Sequence, residues 1–340
     1  MSPLKSFLAV SALAAVCLGS GRLAAADQPI TLKISHQFPS SSGNEGDFRD
    51  RLLREFAKRV EAKTNGTLKF EIYPGSSLMK TNAQFSALRK GALDISLYPI
   101  SYAGGEMPEL NIGLMPGVVT SYEQGAAWRD APVGKEFSRL LDEKGIIILS
   151  WIWQAGGVAS RTNPLVTPDD AKGMKVRGGS REMDMVLKEA GAAVVSLPSN
   201  EIYAAMQTGA MDAAMTSSTS LISFRLEELA KSLTTGRGKA YWFMLEPVIM
   251  SKIVFDKLTK EQQQALLTVG RDMEKFGTDA AKADDELVAQ VYAKAGAKVI
   301  DLTPEIVEKW RAIAREGSWK AYAARNENCA KLIKLAEEVK

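Results

Sequence analysis

The chain has 340 residues, 46% of them hydrophobic and 24% charged, with 43 basic and 40 acidic side chains interspersed. That balance gives no electrostatic footprint for nucleic acid, and no segment beyond the N-terminus has the unbroken apolar length of a membrane-spanning helix. A single histidine, His36, excludes metal sites built from several histidines and argues against a His-dependent catalytic triad.

The N-terminus reads as a signal peptide over 1–26. Lys5 supplies a positive charge, an apolar run covers 7–18, and Leu23-Ala24-Ala25-Ala26 offers small residues for cleavage before Asp27. About 12 apolar residues are too few to span a bilayer. A lipid anchor at Cys17 is the weaker alternative, because Val16 is bulky. Export removes Cys17 and leaves Cys329 alone, so no disulfide forms within one chain. Losing Lys5 and Arg22 lowers the formal charge from +3 to +1. The remaining length of about 314 residues supports a core without staples and implies two domains.

Strands and helices then alternate. Residues 31–36 alternate polar and apolar, as a half-buried strand should. Phe48, Leu52, Phe56 and Val60 mark an amphipathic helix over 47–64, ended by Asn65-Gly66. A second strand covers 68–73, a short helix 81–90 and a third strand 93–99. Such units imply a mostly parallel sheet. The Gly-, Pro- and Met-rich stretch 101–121 reads as an irregular connection. A helix is expected over 122–144, then a strand over 146–153 buried on both faces. Gly156-Gly157 is a candidate hinge, and a second alternating unit runs from Thr167 to about Gly236. From Thr259 to about Ala297 an apolar stripe recurs behind a Thr259/Gln262 capping box. It is one helix approaching 40 residues, or two broken near Gly277. Thr303-Pro304-Glu305 caps a last helix carrying Trp310 and Trp319.

The chemistry concentrates in two stretches. Thr167-Pro168-Asp169-Asp170-Ala171-Lys172-Gly173-Met174-Lys175-Val176-Arg177 reads as a capped turn and a short strand ending on an arginine. Glu201-Ile202-Tyr203-Ala204-Ala205-Met206-Gln207-Thr208-Gly209 reads as a helix with a glycine stop. An arginine at a strand tip faces the crevice where α/β sheets bind ligands, and its planar fork matches a carboxylate. By spacing alone, a structural ion pair explains Arg177 as well. No phosphate loop or dinucleotide fingerprint is present, and no cofactor is expected.

These two stretches, with Gly91-Ala92-Leu93-Asp94 and the prolines at 108 and 116, resemble the DctP-type solute-binding proteins of tripartite ATP-independent periplasmic (TRAP) transporters. The resemblance covers nearly the whole exported chain. It implies an α/β two-domain periplasmic binding protein fold with a central ligand cleft and a long domain-spanning helix. Domain I would hold 27–150 with about 247–270, and domain II 151–246 with parts of 271–340; the long helix, 259–297, would span both. It implies an arginine–carboxylate salt bridge at Arg177, hinge closure, and delivery to small and large integral membrane permease subunits driven by an ion gradient.

The chain departs from the family pattern after Asp212. Ala213-Ala214-Met215-Thr216-Ser217-Ser218 stands where an acid and an amide are usual, and a second arginine has no secure match, Arg161 being the nearest. This shifts the expectation from a dicarboxylate to an aromatic or apolar monocarboxylate, such as a 2-oxo or 2-hydroxy acid. Trp151 and Trp153 share a strand face, Trp242 and Phe243 sit where the chain crosses back, and methionines crowd the second domain. The expected ligand residues are Arg177, Trp153, Met215, Thr216, Ser217, Trp242, Phe243, His36, Gln37, Phe38, Trp151 and Glu201. For the tryptophans, the methionines and His36 a structural role is the competing reading. A four-carbon dicarboxylate is the alternative ligand. A receptor for an ATP-driven importer, a sensor docking on a receptor kinase, and an exported enzyme using His36 or Glu246 as base are the alternative functions.

Overall fold

The computed structural model describes residues 28–237 and 240–339. The expected signal peptide and its cleavage site lie outside them. The strands, in chain order, are β1 (Ile30–Ser35), β2 (Leu68–Tyr73), β3 (Ile95–Leu97), β4 (Ile146–Ser150), β5 (Trp153–Gln154), β6 (Gly156–Ser160), β7 (Lys175–Arg177), β8 (Ala193–Val195), β9 (Ala213–Ser217), β10 (Ser232–Thr235), β11 (Met244–Leu245), β12 (Val248–Ser251) and β13 (Lys298–Asp301). They form two sheets, ordered β2-β1-β3-β12-β4 and β13-β10-β6-β9-β7-β8, joined by the two-stranded ribbon β11-β5.

Neither sheet is wholly parallel. In the first, β12 runs antiparallel to both its neighbours, β3 and β4. In the second, β6 runs antiparallel to β9 and β10. These are the strands by which the chain enters one sheet after leaving the other, so they arrive from the opposite end. The two crossings pair with each other in the ribbon, Met244 opposite Gln154 and Leu245 opposite Trp153. Gly156 and Gly157 lie inside β6, not in a hinge loop. A Cβ on Gly156 would stand 2.1 Å from the Thr216 carbonyl oxygen, and one on Gly157 2.4 Å from that of Thr234, so both glycines permit close strand approach.

The helix Phe48–Lys63 is capped by the Asp47 carboxylate, and its apolar face packs into the first core with β1 and β2. The helix expected over 122–144 is two, Tyr122–Trp128 and Pro132–Glu143. Pro132 has no N–H to continue the first helix and occupies the opening turn of the second. The connection at 101–121 contains the 3₁₀ turns Ile100–Ala103 and Pro108–Leu114. The helix carrying Trp310 is not the last: Pro304–Ala314 runs on through a π-type turn to Ala323, and Glu327–Glu337 follows.

The long helix is unbroken over Lys260–Lys294, with the Thr259/Gln262 capping box in place. Gly277 is no break. A side chain there would meet Ile152 and Leu52, and one at Gly270 would meet the Leu149 backbone oxygen at 2.1 Å. The helix lies against β4 and Phe48–Lys63 near its start and against Ser218–Ser223, β10 and β13 near its end, so it is packed on both lobes.

Candidate functional site

Arg177 ends β7 and is 1% exposed. Its guanidinium makes three hydrogen bonds and no ion pair among the described residues. Nε donates to the Leu197 carbonyl (3.1 Å), one terminal nitrogen to the Met215 carbonyl (2.8 Å) and the other to the Tyr102 hydroxyl (2.7 Å). Two of its five N–H donors are left over. Asp184 is close enough for its carboxyl to feel this charge, but it bonds Ser196 instead. A buried cation held by neutral oxygens is poised for an anion, because burial is costly until an opposite charge offsets it. Gly179 leaves room for the fork: a Cβ there would stand 2.7 Å from an Arg177 terminal nitrogen.

Arg177 opens onto a small enclosed cavity between the lobes. Its walls include Ser101, Tyr102 and Leu114 from the first lobe, Ser199 and Thr216 from the second, Met244 in the ribbon and Glu246 just after it. The Ser199 hydroxyl is buried without a partner. A wider cleft outside, lined by Asn82, Gly105, Arg181 and Arg325, reaches the same place, and Tyr102 borders both spaces. Tyr102 bridges the lobes, since its hydroxyl also accepts from the Ser199 N–H (3.0 Å). Ser101 adds a second tie by donating to the Gly179 carbonyl (3.3 Å).

Behind the cavity lies a fully buried arginine, Arg49. It pairs with Asp47 at 2.6 Å and Glu246 at 3.1 Å, and its guanidinium sits 3.5 Å from the Phe38 ring centroid. It also donates to Ser217 (3.3 Å) and Ser220 (3.1 Å) across the lobe boundary. Glu246 is bound on the same oxygen by Gln154. Burial pushes the Glu246 carboxyl above the usual carboxylate range, against the pull of Arg49. Glu246 is thus held in a buried charge network.

The expected site residues divide sharply. Arg177 and Thr216 line the cavity. Ser217 caps Ser218–Ser223 and serves the Arg49 network. Met215 reaches Arg177 only through its carbonyl, while its sulfur accepts from the Tyr241 hydroxyl in the second core. Trp151 packs on Phe137 and Trp153 on Trp128, both in the first core. Phe243 meets Tyr122 edge to face, and Trp242 lies against Gly156. His36 bonds Asp50 (3.0 Å) and stacks on Phe38, while Gln37 accepts from Thr81. None of these aromatic or polar side chains borders the cavity. Glu201 is exposed. Arg161 stands beside Gly209, at the end of the second sheet where β9 begins, opposite the end that Arg177 faces.

Sequence reasoning missed Arg49, Tyr102 and Ser199. Arg49 carried a signal: it precedes Leu52, Leu53 and Phe56 by three, four and seven positions, so a charge continues the buried stripe. Tyr102 follows the C-terminal end of β3, where ligands of such sheets bind.

Comparison with known proteins places the chain in a family. The family model for the bacterial extracellular solute-binding proteins, family 7 (DctP), matches residues 40–326. A solute-binding protein of Albidiferax ferrireducens is 68% identical over 326 residues, spanning 94% of this chain and 96% of its own. A crystal structure of a TRAP periplasmic solute-binding protein from Rhodoferax ferrireducens, with bound malonate, has 70% identity and a TM-score of 0.90, covering 91% of this chain and 98% of that one. The C4-dicarboxylate-binding periplasmic protein DctP of Rhodobacter capsulatus is 25% identical over 291 residues, 84% of each chain. The chain therefore belongs to the DctP family of bacterial extracellular solute-binding proteins, the TRAP-transporter receptors that bind organic acids without catalysing their reaction.

Proposed function

We propose that this protein captures a short dicarboxylate of the malonate class in the cavity at Arg177 and delivers it, from the periplasm, to the small and large permease subunits of a TRAP transporter. The observation that carries the reading is a buried guanidinium with free donors and no acidic partner, facing a small cavity. The malonate-bound relative at 70% identity supports the ligand class. The aromatic or apolar monocarboxylate expected from the sequence loses its basis, because Trp151, Trp153, Trp242 and Phe243 are committed to core packing. Entry requires the lobes to part, breaking the ties of Tyr102 and Ser101, with the β5–β11 ribbon as the natural pivot.

A thermal-shift series on ligand-free protein tests this. Malonate at about 100 times its dissociation constant should stabilise by about 2.7 kcal/mol. Aromatic monocarboxylates should give no shift. A shift with the aromatic acids and none with malonate would reject the proposal.

A further inference from the structure

The cavity has one cation and one carboxyl on its wall. Glu246 lines the same space as Arg177, and both of its protein ties, from Arg49 and Gln154, land on Oε2. The remaining polar wall is made of neutral groups: the Ser101, Tyr102, Ser199 and Thr216 hydroxyls. The charged groups acting on Glu246 are Arg49 and Asp47 from the first lobe's helix and its cap, and Arg177 lines the same cavity. Asp284, on the long helix, lies in the field of Arg49 and Asp47. Arg49 is already claimed by Asp47 through two bonds, Nε to Oδ1 (2.9 Å) and a terminal nitrogen to Oδ2 (2.6 Å).

The cavity measures about 10 Å³ as the lobes stand, so a dianion needs them to part further, and once seated between Arg177 and Glu246 it meets a difficulty. One carboxylate takes the two spare donors of Arg177. The other faces the region of Glu246, where no free cation stands among the described residues. Two ionised carboxylates cannot share a buried site cheaply; one of the pair holds a proton instead. We infer that Glu246 determines specificity by sharing one proton with the ligand's second carboxyl, so that the protein takes up a proton when it binds a dicarboxylate. The proton comes from solvent and forms an O–H bond on either oxygen of the pair, donating to the other. A ligand that cannot supply an acid or a hydrogen-bond donor at this position leaves the Glu246 charge uncompensated. This inference rests on the dicarboxylate reading above. The direction in which burial moves the Glu246 carboxyl agrees with it.

Titration calorimetry with malonate, in buffers of differing ionisation enthalpy between pH 6 and 8, reads the proton uptake directly. The expected result is an uptake rising toward one proton per ligand at the alkaline end, with affinity falling up to about tenfold per pH unit. Glu246→Gln, neutral and able to donate from its amide, should still bind malonate, with its uptake and pH slope much reduced. Binding by the native protein without uptake would overturn the inference while leaving the dicarboxylate reading intact. So would an unchanged pH slope in the Gln variant. Failure of malonate to bind at any pH would reject the dicarboxylate reading itself. Should the variant fail to fold, the native protein's uptake decides alone.

Discussion

Arg177 and Arg49 show how the same residue type serves two ends. Both are buried. Arg49 is neutralised by Asp47 and Glu246 within the fold, whereas Arg177 is met only by carbonyls and a hydroxyl. The first joins the lobes; the second, on the proposed function, is held for a ligand. Replacing Arg177 with alanine should weaken malonate binding by roughly 2–5 kcal/mol, or roughly 30-fold to several thousand-fold. Lysine should recover only part of this, since it lacks the planar fork. Calorimetry on variants whose melting matches the parent checks both. Binding within threefold of the parent in the alanine variant would remove Arg177 from the site.

At the scale of elements, the long helix is the member that touches both lobes. It carries glycines where a better helix former would be expected, because the backbone of β4 comes too near to admit a side chain at Gly270. Alanine improves helix propensity by about 1 kcal/mol, but at Gly270 it must push back a carbonyl rather than a flexible tip. Overpacking of that kind costs about 1–3 kcal/mol. Gly270→Ala should therefore lower the melting temperature despite the gain in propensity. A rise would show that the β4 backbone yields freely. The ribbon β5–β11 is the opposite case: two residues from each crossing, with few bonds to hold its angle. The capping box, the amphipathic stripes and the strand alternation were all legible in the chain, because they depend on neighbours a few residues away. The break before Pro132 was equally local, and the proline was its signal.

For the molecule as a whole, the long helix also ties the lobes through Asp285. Its carboxylate accepts from Tyr122 (2.6 Å) on one lobe and Ser218 (2.5 Å) on the other. Burial pushes this carboxyl up to about 6, from an ordinary value of ~3.9. The sign follows from linkage. The fold favours the protonated form, so this contribution is complete below about pH 4 and is lost as pH rises through about 6. It amounts to about 3 kcal/mol. Asp285→Asn is fixed in the neutral state. Relative to the native protein, it should gain stability as pH is raised from 4 to 7, as read by denaturant midpoints at each pH. A constant difference across that range would mean Asp285 does not titrate there.

The chain alone carried the fold class, the long helix and the family, since each is written in contiguous residues with strong local periodicity or motif. It misjudged the surroundings of Arg177. Two tryptophans on one strand, a methionine-rich segment and an aromatic crossing are what an aromatic-acid pocket would contain, and also what a core contains. Which of the two they form is decided by what packs over them, and Trp128, Phe137, Tyr122 and Trp310 do so from helices elsewhere in the chain. The Arg49–Glu246 pair spans 197 positions, and Tyr102 meets Arg177 across 75. Contacts at such separations have no local sequence signature. They come into being only when two sheets, each with its own core, are brought together by the crossings and the helix that bridges them.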